Sequence, residues 1–298
     1  MENQINQINQ INQIYQINQY SFTLVSGYIN IESIESIESP NINNINNPDN
    51  INHREQTFSI YKERGQKLIN IPIKKIIFID ARYIDQFEKN AFSRLIPITL
   101  EEMDIYPYYQ EILLQILTRE ILILSPNPKK DTALFHIIQI AKTEFIKKAI
   151  ALDTLGTIDK PAKNIYAWID FGISKIFKDT NDNTTEFETA IMNIPHMLDN
   201  IKPNTIKIPG CWKLNAADIN NDFARVNWYF SGGFFIGYKD ILLEFEKMVK
   251  KELKCILDDK KLTFEVNIWF RIWRKGFVQL DWYYGNHDAG LVRFGRFG

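Results

Sequence analysis

Short apolar runs that stop at a single acid alternate with helix-patterned segments along most of this chain, and that alternation restricts the fold more than any other feature. Residues 71–80 (IPIKKIIFID) are, apart from Lys74 and Lys75, apolar and rich in β-branched residues up to a terminal Asp80, and residues 164–173 (NIYAWIDFGI) place Asp170 directly after a second such run. Residues 22–31 (FTLVSGYINI) have the β-branched and aromatic content of a first strand, and residues 228–237 (WYFSGGFFIG) read as a later one. Apolar residues at helical spacing predict helices over 58–69, 105–119, 133–151 and 240–257. Asp131 and Thr132 offer a cap for the third of these, which closes near Gly156. Strands separated by helices predict an α/β fold, a single domain with a mixed, mostly parallel central sheet and helices on both faces. Ligands bind such sheets where the carboxyl ends of the strands meet the following loops, so informative residues are expected just after the apolar runs.

Three tracts lie outside this pattern. Residues 3–19 (NQINQINQINQIYQINQ), 31–39 (IESIESIES) and 41–52 (NINNINNPDNIN) are short-period repeats with no packed face. The expected organisation is a disordered tail at 1–20 and a domain at 21–298 carrying a low-complexity insert at about 32–52. Such tracts arise by slippage in AT-rich coding sequence, as in a large DNA virus or an intracellular microbe. The 298 residues carry 35 Lys plus Arg against 36 Asp plus Glu, a balance that gives no general field for nucleic acid or anionic lipid. No run approaches the ~20 apolar residues of a membrane span. Cys211 and Cys255 form no metal-binding or redox spacing. A soluble, cytoplasmic protein is expected, in a virus-infected host cell if the gene is viral, with no nucleic-acid partner and no transmembrane segment.

Six positions carry candidate chemistry. Asp170, at a strand end and before the conformationally free Gly172, is placed to hold Mg²⁺ or Mn²⁺ together with a substrate's phosphates; the structural alternative is a helix cap. Asp170-Phe171-Gly172 is also the magnesium-binding trio of protein kinases, but the His-Arg-Asp, glycine-rich loop and Val-Ala-Ile-Lys elements are absent. His287, in YYGNHDAG, offers an imidazole ligand or is a surface histidine. Glu265, set among apolar residues in FEVNIW, is either a general base toward an acceptor hydroxyl or a helix-start residue, with Thr263 as the cap. Gly232 and Gly233 break a bulky apolar run, as close approach of a sugar or diphosphate requires, or as a β-bulge does. Lys142, in IIQIAKTEFIKKAI, neutralises a phosphate if it faces the strand ends and is a solvated lysine if it does not.

The order and wording of TLVSGYINI, KKIIFID, FHIIQIAKTEFIKKAI, YAWIDFGI, WYFSGGFFIG, LTFEVNIW and YYGNHDAG resemble the WlaTC/HtrL-like (HtrL/YibB) family, which belongs with metal-dependent glycosyltransferases of GT-A fold. The resemblance runs from about residue 22 to the C-terminus, outside the low-complexity tracts. It implies transfer of a sugar from a nucleotide-diphosphate donor, a UDP-sugar favoured, to a glycan or other hydroxyl acceptor. Asp170 and His287 match the metal positions, and Asp170 and Glu265 the catalytic ones. Tyr28, Lys142, Trp168, Gly232 and Gly233 match the donor-binding positions, with Tyr28 toward the base. Where such enzymes often carry Asp-X-Asp, this chain has Asp170-Phe171-Gly172, so one carboxylate is missing. A glycan-binding or structural protein of the same fold without catalysis is the alternative that this absence raises. A two-metal phosphodiester hydrolase wants more strand-end carboxylates than Asp80 and Asp170 supply.

Overall fold

The structure, a computed structural model, describes residues 20–31, 48–126, 131–154, 163–177, 183–213, 223 and 225–295. Gly156, the tail before Tyr20 and the repeats at 32–47 lie outside the described residues. The chain forms an α/β fold around a seven-stranded sheet in the order β3-β2-β1-β5-β7-β6-β9. Its strands are β1 (Tyr20–Tyr28), β2 (Lys75–Asp80), β3 (Ser93–Ile98), β5 (Lys163–Ile169), β6 (Thr205–Gly210), β7 (Phe234–Tyr238) and β9 (Gln279–Tyr284). A separate parallel pair joins β4 (Leu122–Ile123) to β8 (Lys261–Leu262). In the main sheet β7 alone runs against its neighbours, β5 and β6. The other pairings, β1 with β2 and β5, β2 with β3, and β6 with β9, are parallel.

Burial on both faces explains the unbroken apolar runs. Ile76, Phe78, Tyr166, Trp168 and Phe235 enter one core, while their strand neighbours Ile77, Ile79, Ile165, Ala167, Phe234 and Ile236 enter the other. Strands covered on both sides lose the polar alternation of a half-solvated sheet. The first core is closed by α2 (Tyr106–Leu117), α3 (Ala133–Ile140), α4 (Lys142–Thr154), α6 (Lys239–Asp258) and α7 (Glu265–Arg274). The second is closed by α1 (Pro48–Asn70), α5 (Asn183–Met192) and the short 3-10 turn Ala289–Val292.

Several local expectations need correction. The helix expected from residue 58 begins at Pro48, inside the Asn-rich tract; proline suits a first helical turn because its missing N–H has no partner there anyway. The single helix expected over 133–151 is two, meeting at Ala141, where ψ opens to −6°. Thr132 does cap α3, accepting a hydrogen bond from the Phe135 N–H at 3.2 Å. Residues 205–210, where no strand was expected, form β6 between β7 and β9. The glycine pair does not interrupt a strand: β7 starts at Phe234, and Gly232 and Gly233 form the turn before it. The apolar segment after Leu262 is helix α7, with Phe264 as its N-cap and no side-chain cap, so Thr263 does not cap it.

Candidate functional site

The strand order turns at β1 and β5. From β1 the sheet grows one way through β2 and β3, and from β5 the other way through β7, β6 and β9. The carboxyl edge beside such a reversal opens a crevice, because the loops leaving β1 and β5 diverge to opposite sides. Asp170 is the first residue beyond β5, and its backbone N–H is fixed by the Gly233 carbonyl at 3.0 Å.

Lys142 opens α4 and reaches this edge with its ammonium buried. Nζ stands 3.1 Å from Asp170 Oδ1, 3.0 Å from Glu265 Oε1 and 3.0 Å from the Gly232 carbonyl. Burial opposes the lysine charge, but the carboxylates of Asp170 and Glu265 outweigh it and hold the Lys142 pKa above the ordinary value. Lys142 and Glu265 side chains are 4% and 7% exposed and Asp170 is 35% exposed, so the triad has one wet member and two dry ones. The Trp168 indole N–H donates to Asp170 Oδ1 at 3.0 Å, and its ring stacks on Phe145. Asp170 Oδ1 is thus capped by two donors, while Oδ2 accepts none among the described residues.

Gly232 is a steric requirement. A Cβ there would overlap the Glu265 carboxylate and stand 2.9 Å from Lys142 Nζ. At Gly233 a Cβ would come 3.2 Å from Leu291 and 3.9 Å from Asp170 Oδ2. Glu265 is the first residue of α7, as the helix-start reading has it, and its carboxylate meets Lys142 there.

The remaining candidates lie at the margins. Tyr28, at the end of β1, is buried against Phe171, Tyr61 and Phe58, with Phe171 stacked on it at 5.4 Å. His287 is set edge-on to Trp228 at 4.7 Å. It is an exposed residue, as the surface reading has it; partial desolvation of the ring, and then Lys175, lower its pKa and favour the neutral imidazole. Asp80, the other strand-end acid, is 3% exposed and accepts from Arg82 Nε at 2.9 Å and the Asn30 N–H at 3.1 Å. Its carboxylate is thereby committed to tying the β1 and β2 ends together. Sequence reasoning missed Asn30, Arg82 and Tyr83, a polar cluster in which Asn30 also donates to the Tyr83 hydroxyl at 3.1 Å. The position of Arg82 two residues past a strand-end acid was the available signal.

Among the described residues no three His, Cys, Asp or Glu side chains come together as a ready-made metal cage. Compared with known proteins, the chain matches no family model and no curated sequence.

Proposed function

We propose that this chain is a GT-A-type glycosyltransferase that moves a sugar from a nucleoside-diphosphate donor, a UDP-sugar favoured, to a hydroxyl of a glycan acceptor. The observation that carries this reading is the buried ammonium of Lys142, clamped between Asp170 and Glu265 under a glycine turn at the switch point of the sheet. The resemblance in the sequence motifs supports it independently.

The charges make the case for a metal. The triad sums to −1, so it accepts a diphosphate only when a further cation accompanies it. Magnesium and manganese sites on nucleotides use one or two protein ligands and take the rest from phosphates and water. Asp170 Oδ2, which no described residue engages, fits that demand as one residue that would hold it, and the sequence resemblance assigns the second ligand to His287. When bound, such an ion stabilises negative charge on the departing nucleoside diphosphate.

The chain's own groups supply the rest. Trp168 and Lys142 fix the rotamer of Asp170, and Gly232 lets Glu265 stand against the backbone where a donor sugar passes. Glu265 Oε1 is taken by Lys142; Oε2, which accepts no hydrogen bond from the described residues, takes the proton of the acceptor hydroxyl. A base in that role leads to inversion at the anomeric carbon. The test is donor turnover: nucleotide sugars with Mn²⁺ or Mg²⁺, with and without chelator, for wild type and Asp170→Ala. Metal-dependent release of nucleoside diphosphate that disappears in the variant is expected. No release, together with no thermal shift from any nucleotide, would sink the reading in favour of a non-catalytic protein of this fold.

A further inference from the structure

Four of the six tryptophans gather at one corner of the molecule. Trp168 and Trp269 are buried in the core beneath the sheet, whereas Trp212, Trp228, Trp273 and Trp282 are all partly open to solvent. They lie around the carboxyl ends of β6 and β9, on the same sheet edge as Asp170, because both strands run parallel to β5. Tyr229 links two of them, parallel to Trp282 at 6.0 Å and tilted on Trp273 at 5.0 Å. Main-chain bonds from the Cys211 and Trp212 N–H groups to the Trp228 carbonyl, at 2.9 and 3.1 Å, join Trp212 to the group. Tyr284, at the end of β9, is 62% exposed and Trp212 is 37% exposed.

We infer that this aromatic shelf is the acceptor subsite, and that it takes a neutral saccharide whose pyranose rings stack on Trp212 and Tyr284; the inference rests on the transferase reading. Large rings left half in water at one edge are a binding surface, since burial would otherwise stabilise them. A pyranose ring offers a C–H face to an aromatic plane and a rim of hydroxyls to polar neighbours. The rim here is mixed: the Arg225 guanidinium lies over Trp212 at 5.1 Å, and Asn286 and His287 follow the end of β9. Among the described residues the rim also carries Lys213 and Arg274, cations set singly beside Trp212 and Trp273 and not in a continuous basic stripe of the kind that tracks a nucleic-acid backbone.

Continuity with the triad fixes the direction of the ligand. Trp228 precedes Gly232 by four residues, a span of at most ~14 Å at full extension, which is the reach of two or three sugar units. The chain 228–233 therefore leads from the shelf to the reacting edge, with Ser231 N–H held by the Pro209 carbonyl at 2.7 Å on the way.

The test is direct binding to the full chain. Saturation-transfer difference NMR with chitotriose, cellotriose, maltotriose and lactose is run beside a neutral glycan array, with ten-residue oligothymidylate as the competing ligand class. Ring protons of at least one saccharide are expected to take up saturation, and Trp212→Ala/Tyr284→Ala to weaken that binding at least tenfold, with unchanged circular dichroism. Leu114→Ala, on an exposed helix surface of α2, should bind as wild type. Silence across saccharides and array, undiminished binding by the double variant, or binding of the oligonucleotide alone would overturn the inference. Donor turnover on the unaltered protein separates the two readings: shelf-dependent saccharide binding without turnover keeps the shelf and removes the transferase, whereas turnover without saccharide binding does the reverse.

Discussion

Replacing Lys142 by methionine tests the clamp most directly, because it removes the ammonium that stands between Asp170 and Glu265. The cost divides unequally. Asp170 is 35% exposed and can be rehydrated, so its share is that of a surface pair, less than about 1 kcal/mol. Glu265 is 7% exposed, and its charge would stay in the interior without a partner. Breaking a buried pair from one side costs about 3–5 kcal/mol, and that range is the expected loss for Lys142→Met. Glu265→Gln alone should cost about 1 kcal/mol, since its amide oxygen still accepts from the lysine and only the charge-assisted part is lost. The double variant carries no stranded charge, so it should be more stable than Lys142→Met by roughly 2 kcal/mol, a non-additivity expected of residues in contact. Urea denaturation of the four proteins at pH 7 gives all three differences. A double variant no more stable than Lys142→Met, or a Lys142→Met loss under about 1 kcal/mol, would refute the clamp.

Three further outcomes follow from named contacts. Gly232→Ala should abolish donor turnover while the protein still folds, because the new methyl group displaces the Glu265 carboxylate; turnover near the wild-type rate would show that Glu265 needs no such seat. Gly65→Ala should destabilise by about 1–3 kcal/mol despite the helix-favouring residue, since its Cβ would overlap the Phe171 ring that packs on α1, and a stabilised variant in thermal melting would contradict that packing. His136 lies fully buried near the Leu124 and Thr263 carbonyls, and burial lowers its pKa from 6.5 to about 4. Its folded state therefore prefers the neutral ring: the contribution is complete above pH 6.5 and is lost as pH falls toward 4, amounting to about 3 kcal/mol. His136→Phe should flatten the stability curve between pH 6.5 and 4, and an unchanged slope there would remove His136 as its cause.

The layer architecture was legible because it follows from local pattern. Residues 76–79 and 165–169 are apolar throughout since both faces of β2 and β5 are covered, and the acids that follow mark where the run leaves the core. Thr132 and the helix of 240–257 were equally readable, the first from its capping oxygen and the second from its 3.6-residue stripe. The break at Ala141 was not, because neither proline nor glycine marks it and the hydrogen bonds run through it, Ala141 N–H to Ile137 O and Phe145 N–H to Ala141 O. Nor was β6, whose pairing to β7 and β9 outweighs the proline within it.

The sequence by itself determined that strands and helices would alternate, that two acids would stand at strand ends, and that a glycine pair would need room. The meeting of Lys142 with Gly232 and Glu265, 90 and 123 residues further on, was decided by the tertiary structure alone. Periodicity reports which face of an element is buried, but the neighbour across that face depends on strand order, which emerges only when all the apolar faces are stacked together. The same stacking turned Lys142 from a lysine expected either in solvent or toward a phosphate into the buried cation of the site, and brought the ends of β6 and β9 together beneath four tryptophans.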